Sequence, residues 1–249
     1  MKRKDFFKTV GALATTSLLV SCWPTKEKKA SLKKGQVRLS SKIYELHLRQ
    51  AWTLSRGTWT TRRNVLVRLE KNGIVGYGEA APIPRYNESA ESNQAFIEKA
   101  LPVLEKDLWE YNERWLEIEN LSPGQNAAKA ALDMAVLDWI GQSLKMPLYK
   151  FFGLDKNRTL ATTFSIGIDE VPVMQKTAES AKNFRRLKIK VGTKDDKKII
   201  EGIREVTDRP IIVDANEGWK DREQALEMIN WLAEKGVEFV EQPMPAANL

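Results

Sequence analysis

Cysteine and histidine are almost missing from this chain. Cys22 is the only cysteine in 249 residues, so no intrachain disulfide can form. His47 is the only histidine, which removes a histidine base and a histidine-rich zinc site and leaves lysines and carboxylates to carry chemistry. His47 falls in an alternating stretch and reads as a structural position. No Gly-x-Gly-x-x-Gly run and no Walker-type loop occurs, so nothing supports nucleotide binding. The apolar run Val10 to Val20 falls short of the roughly 20 residues that cross a bilayer as a helix. Net charge is also absent from most of the chain. The total is +7, but residues 1–34 hold nine basic residues against two acidic, and residues 35–249 hold 31 of each. A neutral body lacks the basic stripe that grips nucleic acid, so no nucleic-acid partner is expected. What remains is an ordinary globular composition, 42% apolar and 29% charged.

The N-terminus has the order of an export signal. Lys2-Arg3-Lys4 precedes the short apolar run, which ends Leu19-Val20-Ser21-Cys22. That ending resembles a bacterial lipobox, in which a peptidase cuts before the cysteine and the thiol takes the lipid. Residues 1–22 are therefore expected to be a lipoprotein-type signal, with Cys22 as the lipidation site. The protein is then exported, and is either membrane-anchored through its lipid or periplasmic. A simple secretory signal with a chance cysteine is the alternative. Arg3-Lys4-Asp5-Phe6-Phe7-Lys8 also resembles a relaxed twin-arginine signal. Residues 23–38 read as a solvated tether.

From Ser40 the pattern alternates. Extended stretches around Ile43, Leu46 and Leu48, over 64–70 and over 74–80 read as an antiparallel meander, with Lys71-Asn72-Gly73 as a turn. Helical patterns follow over 91–109 and, more strongly, over 124–144, which Pro147 ends. After Gly153 strands and helices alternate. Strand-like segments over 162–168, 187–191, 210–214 and 237–241 are separated by helical segments over 171–183, 195–206 and 221–235. Their terminal landmarks repeat at 24, 24 and 27 residues, measured through Ile166, Lys190, Asp214 and Glu241. Such alternation implies a parallel sheet. A doubly wound sheet fits, but polar residues closing successive strands favour a (β/α) barrel, where enzymes place their chemistry at strand C-termini.

Three of those strand ends carry candidate chemistry: Lys188-Ile189-Lys190, Asp214-Ala215-Asn216 and Glu241-Gln242-Pro243. Period-2 geometry puts Lys188 and Lys190 on one face. Mutual repulsion and burial are expected to lower a lysine pKa there, toward the range of a general base. Asp214 and Glu241 on neighbouring strands can converge on one hard cation, and oxygen ligands suit Mg²⁺. Taken singly, each motif has a plainer reading: a solvated strand edge, an Asx turn, or a strand-ending loop. Their combination at successive strand ends is far more specific. The eight tryptophans are scattered and read mostly as core or rim positions.

With these motifs in place, residues 40–249 resemble the muconate-lactonizing-enzyme-like branch of the enolase superfamily, and within it the dipeptide epimerases. Further matching stretches are Leu54-Ser55-Arg56-Gly57, Arg63-Asn64-Val65, Gly76-Tyr77-Gly78-Glu79-Ala80-Ala81-Pro82, the helix from Ala130 to Trp139, and Thr163-Phe164-Ser165-Ile166-Gly167-Ile168. The resemblance implies an α+β capping domain over 39–155, followed over 156–249 by the first half of a (β/α) barrel, the modified TIM barrel of enolase-like enzymes. It further implies Lys190 as acid/base on one substrate face and Lys188 as its electrostatic modulator. Asp214 and Glu241 become two of three Mg²⁺ ligands. Arg56 would meet a distal substrate carboxylate, and Ser165 would contact substrate from the first strand.

The chain ends at Leu249, before the strand on which the family carries its third metal-ligand aspartate and before its opposite-face lysine. It therefore reads as a fragment or an interrupted frame. The leading expectation is a metal-dependent epimerase of dipeptides, with cell-wall peptides as one expected source. A cycloisomerase, an N-acylamino-acid racemase or an acid-sugar dehydratase is the alternative within the superfamily. Outside it stands a lipid-anchored binding protein that keeps the fold without turnover. The expected partners are a small-molecule dipeptide, the membrane through the lipid anchor, and further copies of the chain.

Overall fold

The computed structural model describes residues 33–248. Cys22, the expected export signal and most of the expected tether lie outside the described residues.

The first unit is a meander packed on helices. Strand β1 (Val37–Leu54) and strand β2 (Gly57–Lys71) pair antiparallel across the two-residue turn Ser55-Arg56, with an irregularity between His47 and Trp52. Both strands are far longer than the hydrophobic alternation suggests. Their hairpin ends, 45–54 and 57–63, bury no residue, so no core-facing stripe marks them and pairing reveals them. His47 lies on β1 opposite Thr61, exposed near Glu45. Strand β3 (Ile74–Ala80) pairs with β2 through Asn72-Gly73, whose φ angles of 54° and 75° are the positive values of a tight hairpin turn.

The expected helix over 91–109 is broken. Helix α1 (Ala90–Lys99) begins with a reciprocal Ser89–Ser92 cap, and α2 (Leu101–Leu104) is a single turn with Pro102 in its opening positions. Proline has no N–H to continue the preceding helix but fits a first turn. Helix α3 (Tyr111–Glu119) had no clear sequence signal. Helix α4 (Asn126–Leu144) buries Ala128, Ala131, Leu132, Ala135, Val136, Trp139 and Ile140, a stripe at three- and four-residue spacing. It lies almost on the backbone of β3. A Cβ on Gly76 would sit 2.1 Å from the Ala135 carbonyl oxygen, and one on Gly78 would sit 1.9 Å from that of Ala131. Val65, Val67 and Leu69 of β2 complete this core. A last turn, α5 (Leu148–Phe151), ends the unit.

The second unit alternates strand and helix: β4 (Thr163–Ile166), α6 (Val171–Ser180), β5 (Arg186–Lys190), α7 (Asp196–Val206), β6 (Ile211–Asp214), α8 (Arg222–Glu234) and β7 (Val237–Glu241). The strands are parallel and stand in chain order, β4-β5-β6-β7. Right-handed crossovers between successive neighbours put every helix on one side of the sheet. That is barrel winding; a doubly wound sheet reverses its order midway. Leu187, Ile189, Ile211 and Val213 pack with Met174, Ala178, Ile199, Ile200, Ile203 and Leu232 in a second core. Alternation therefore turns Lys188, Lys190 and Asp214 to the opposite, inner face. Among the described residues, no helix is long and apolar enough to cross a membrane.

Candidate active site

Strand register assembles the site. Lys190 pairs with Asp214, and Asp214 with Glu241, so the three polar strand ends lie side by side. Lys190 Nζ donates to Asp214 Oδ2 at 2.6 Å and to Asn216 Oδ1 at 3.1 Å. Lys188 Nζ donates to Glu241 Oε2 at 2.6 Å and lies 3.0 Å from Asp214 Oδ2. Asp214 is 2% exposed and Lys190 8% exposed, so these are charged groups withdrawn from water.

This arrangement corrects the expected lysine electrostatics. The ammonium groups do not face each other bare; carboxylates stand between them. Burial pulls the Lys188 pKa down, but hydrogen bonds to Glu241 and Asp214, with their attraction, leave it raised overall. Burial likewise pushes the Asp214 carboxyl up, while hydrogen bonds from Lys190, Lys188 and the Asn216 backbone bring it below its usual value.

The loops after β6 and β7 have unusual backbones. Asn216, Glu217 and Gln242 adopt φ values of 46°, 67° and 46°, in the left-handed region. Asp214 Oδ1 accepts the Asn216 N–H at 2.9 Å, so the Asx turn and the candidate site are one feature. Cap and barrel meet here. Asn216 O accepts from Ser55 Oγ at 3.1 Å and from Arg56 Nη1 at 2.9 Å. Glu217 pairs with Arg85 and lies 3.7 Å from Arg56. Arg56 therefore overhangs the strand ends, engaged by barrel oxygens. Ser165 stands next to Lys188 in register and lines a groove of about 670 Å³ with Trp52, Arg62 and Ile168. That groove runs along β4, and Asp214 is not among its lining residues.

Sequence reasoning did not single out Asp196, Trp219, Glu217 or Arg85. Asp196 accepts from the backbone of Gly192 and Thr193 and from Trp219 Nε1, tying the loop after β5 to the loop after β6. Only its place in the charged run Lys194–Lys198 is visible in the sequence, and that run reads as solvated helix surface.

Two carboxylates face each other across β6 and β7, and no group of three metal-ligating acidic, histidine or cysteine side chains occurs among the described residues. The pair still fits a hard divalent cation. Both donors are carboxylates, and a cationic nitrogen already lies within 3.0 Å of each.

A meander cap with its hairpin turn over the C-terminal ends of barrel-wound parallel strands, closing on lysines and carboxylates, defines a capped α/β-barrel protein of the enolase type. Residues 41–153 match the mandelate racemase/muconate lactonizing enzyme N-terminal domain, and residues 173–249 match the enolase C-terminal domain-like family. The chain is 41% identical to an L-Ala-D/L-Glu epimerase of Bacteroides thetaiotaomicron, over 99% of its own length and 67% of the relative's. An L-Ala-D/L-Glu epimerase from Bacillus subtilis, solved in a substrate-liganded complex, superposes with a TM-score of 0.77 at 31% identity, covering 86% of this chain and 62% of that one. A dipeptide epimerase from Cytophaga hutchinsonii, complexed with Mg and D-Ala-L-Val, gives a TM-score of 0.74 at 27% identity, covering 84% and 59%. The chain belongs to the mandelate racemase/muconate lactonizing enzyme family of the enolase superfamily. It spans about two thirds or less of the length of these relatives.

Proposed function

We propose that this chain carries one face of the active site of a Mg²⁺-dependent dipeptide epimerase, which removes and returns the proton on the carbon next to a carboxylate. The observation behind this reading is the continuous register Lys190, Asp214, Glu241, with Lys188 interleaved. Asp214 and Glu241 would hold the cation. When bound, it supplies positive charge beside the substrate carboxylate, which eases loss of the neighbouring proton. Lys190 Nζ, in its neutral form, takes the proton into its lone pair and, as ammonium, gives it back to the same face. Asp214 and Asn216 aim that nitrogen. Lys188 contributes positive charge beside the carboxylate group without carrying the proton. Arg56 and Ser165 would bind the substrate from the cap turn and from β4. Inversion needs a proton carrier on each face, and Lys190 supplies one.

Deuterium exchange tests this. In D₂O with Mg²⁺, the full-length protein should incorporate deuterium at one α-carbon of a single-enantiomer dipeptide. Lys190→Ala should lose exchange from one face by about 10²–10⁴-fold. Asp214→Asn should lose it from both. Wild-type exchange by Lys190→Ala with both enantiomers would reduce the dilysine motif to a strand end. The lipobox reading of Cys22 places this activity outside the cytoplasm, at a membrane. Cys22→Ser should then leave the membrane fraction or persist as an uncleaved precursor; identical fractionation would reject the anchor.

A further inference from the structure

Lys188 makes a contact that a general electrostatic role does not require. Its Nζ reaches Glu241 Oε2 at 2.6 Å and Asp214 Oδ2 at 3.0 Å at once, bridging two carboxylates on adjacent strands. Lys190 differs. It pairs with Asp214 at 2.6 Å and takes the Asn216 side chain as its second acceptor. Two carboxylates in register on neighbouring strands repel each other unless a cation stands between them. One of them, Asp214, is almost fully buried, which sharpens the cost of leaving it unpaired.

We infer that the Lys188 ammonium is a built-in place-holder for the divalent cation. It holds Asp214 and Glu241 in position when no cation is bound, and it must swing out of the bridging position when one enters. This rests on the reading that Asp214 and Glu241 hold the cation. The physical reason is exclusion: one region between two carboxylates cannot keep both an ammonium and a divalent ion at contact distance, because the two repel. Lys188 can leave because its own strand neighbour on the β4 side is Ser165, a small side chain, and its side chain retains 18% exposure. The site therefore trades cation affinity for order in its empty state.

The test measures binding rather than turnover. Mn²⁺ is titrated into the 249-residue chain, with the free ion followed by electron paramagnetic resonance. Lys188→Met should bind Mn²⁺ about tenfold more tightly or better, since the competing charge is gone. Lys188→Arg, which keeps the charge, should stay within about threefold of wild type. Lys190→Met touches one carboxylate only and should gain less than Lys188→Met. Equal or weaker binding by Lys188→Met overturns the inference. So does an equal gain in Lys190→Met, because net charge alone would then explain the effect. A second measurement needs no variant. Acetylation of Lys188 in the wild type, followed by mass spectrometry, should rise severalfold at saturating Mn²⁺ while exposed Lys194 and Lys220 stay constant. Unchanged Lys188 reactivity overturns the inference even if Lys188→Met does not fold. If wild type binds Mn²⁺, loses it in Asp214→Asn, and Lys188→Met gains nothing, only the place-holder fails. If no binding depends on Asp214, the cation reading fails and the place-holder with it.

Discussion

Replacing Asp196 by asparagine should loosen two active-site loops at once while leaving the cap untouched. Asp196 is 2% exposed at the start of α7. Its Oδ1 accepts from Gly192 N at 3.0 Å, Thr193 N at 2.8 Å and Thr193 Oγ1 at 3.0 Å. Its Oδ2 accepts from Gly192 N at 2.9 Å and Trp219 Nε1 at 2.8 Å. An asparagine has one acceptor oxygen. Its better orientation keeps the three Oδ1 contacts and turns an NH₂ toward the Trp219 indole N–H. That indole is 1% exposed, so no water replaces the lost acceptor. A buried donor left unpaired costs about 1–3 kcal/mol, and the remaining bonds weaken by about 1 kcal/mol in total as the charge is removed. The expected loss is about 2–4 kcal/mol, or about 30- to 1000-fold in the opening equilibrium. Hydrogen exchange resolved on peptides reads this directly. Segments 192–196 and 215–219 should exchange faster, with 126–144 in the cap as internal reference. Exchange within about threefold of wild type in both loops would refute the argument, because the network would then carry none of the loop order.

Gly78→Ala should destabilise the cap by about 3 kcal/mol, because its Cβ would enter the Ala131 carbonyl of α4, whereas Gly73→Ala meets open space and strains only its turn, costing about 1 kcal/mol. Thermal unfolding by circular dichroism compares them, and equal losses would reject the close approach of α4 to β3. The folded Asp214 carboxyl titrates below its ordinary value, so its contribution is present above that value and is lost as pH falls through the lower folded one. Asp214→Asn should accordingly flatten the acid limb of the barrel's stability against pH; an unchanged limb would exclude Asp214 as its source. Among the described residues, β4 and β7 have no outer partner strand, and Phe239 on β7 is 55% exposed. The 249-residue chain should therefore self-associate with rising concentration in sedimentation, and a single monomeric species at high micromolar protein would contradict this.

Much of this arrangement is encoded locally. The βα alternation from 163 onward follows from short apolar runs between helical stripes, and the chain's own spacing places Lys190, Asp214 and Glu241 at successive strand ends. Asn72-Gly73 and Pro147 mark their turns because backbone sterics act within a few residues. The tertiary structure decided the rest. The hairpin-end halves of β1 and β2, which bury no residue, are strands because each pairs with the other. Gly76 and Gly78 are needed because α4, some 50 residues later, arrives at van der Waals distance. Lysines that look repulsive in sequence become ion-paired, because register slots carboxylates from two other strands beside them. Asp196 looks like solvated charge until Trp219 and the Gly192 loop fold over it. Local sequence carries propensity and periodicity. Which charges face which is set by strand register, and that exists only once segments distant in sequence have packed.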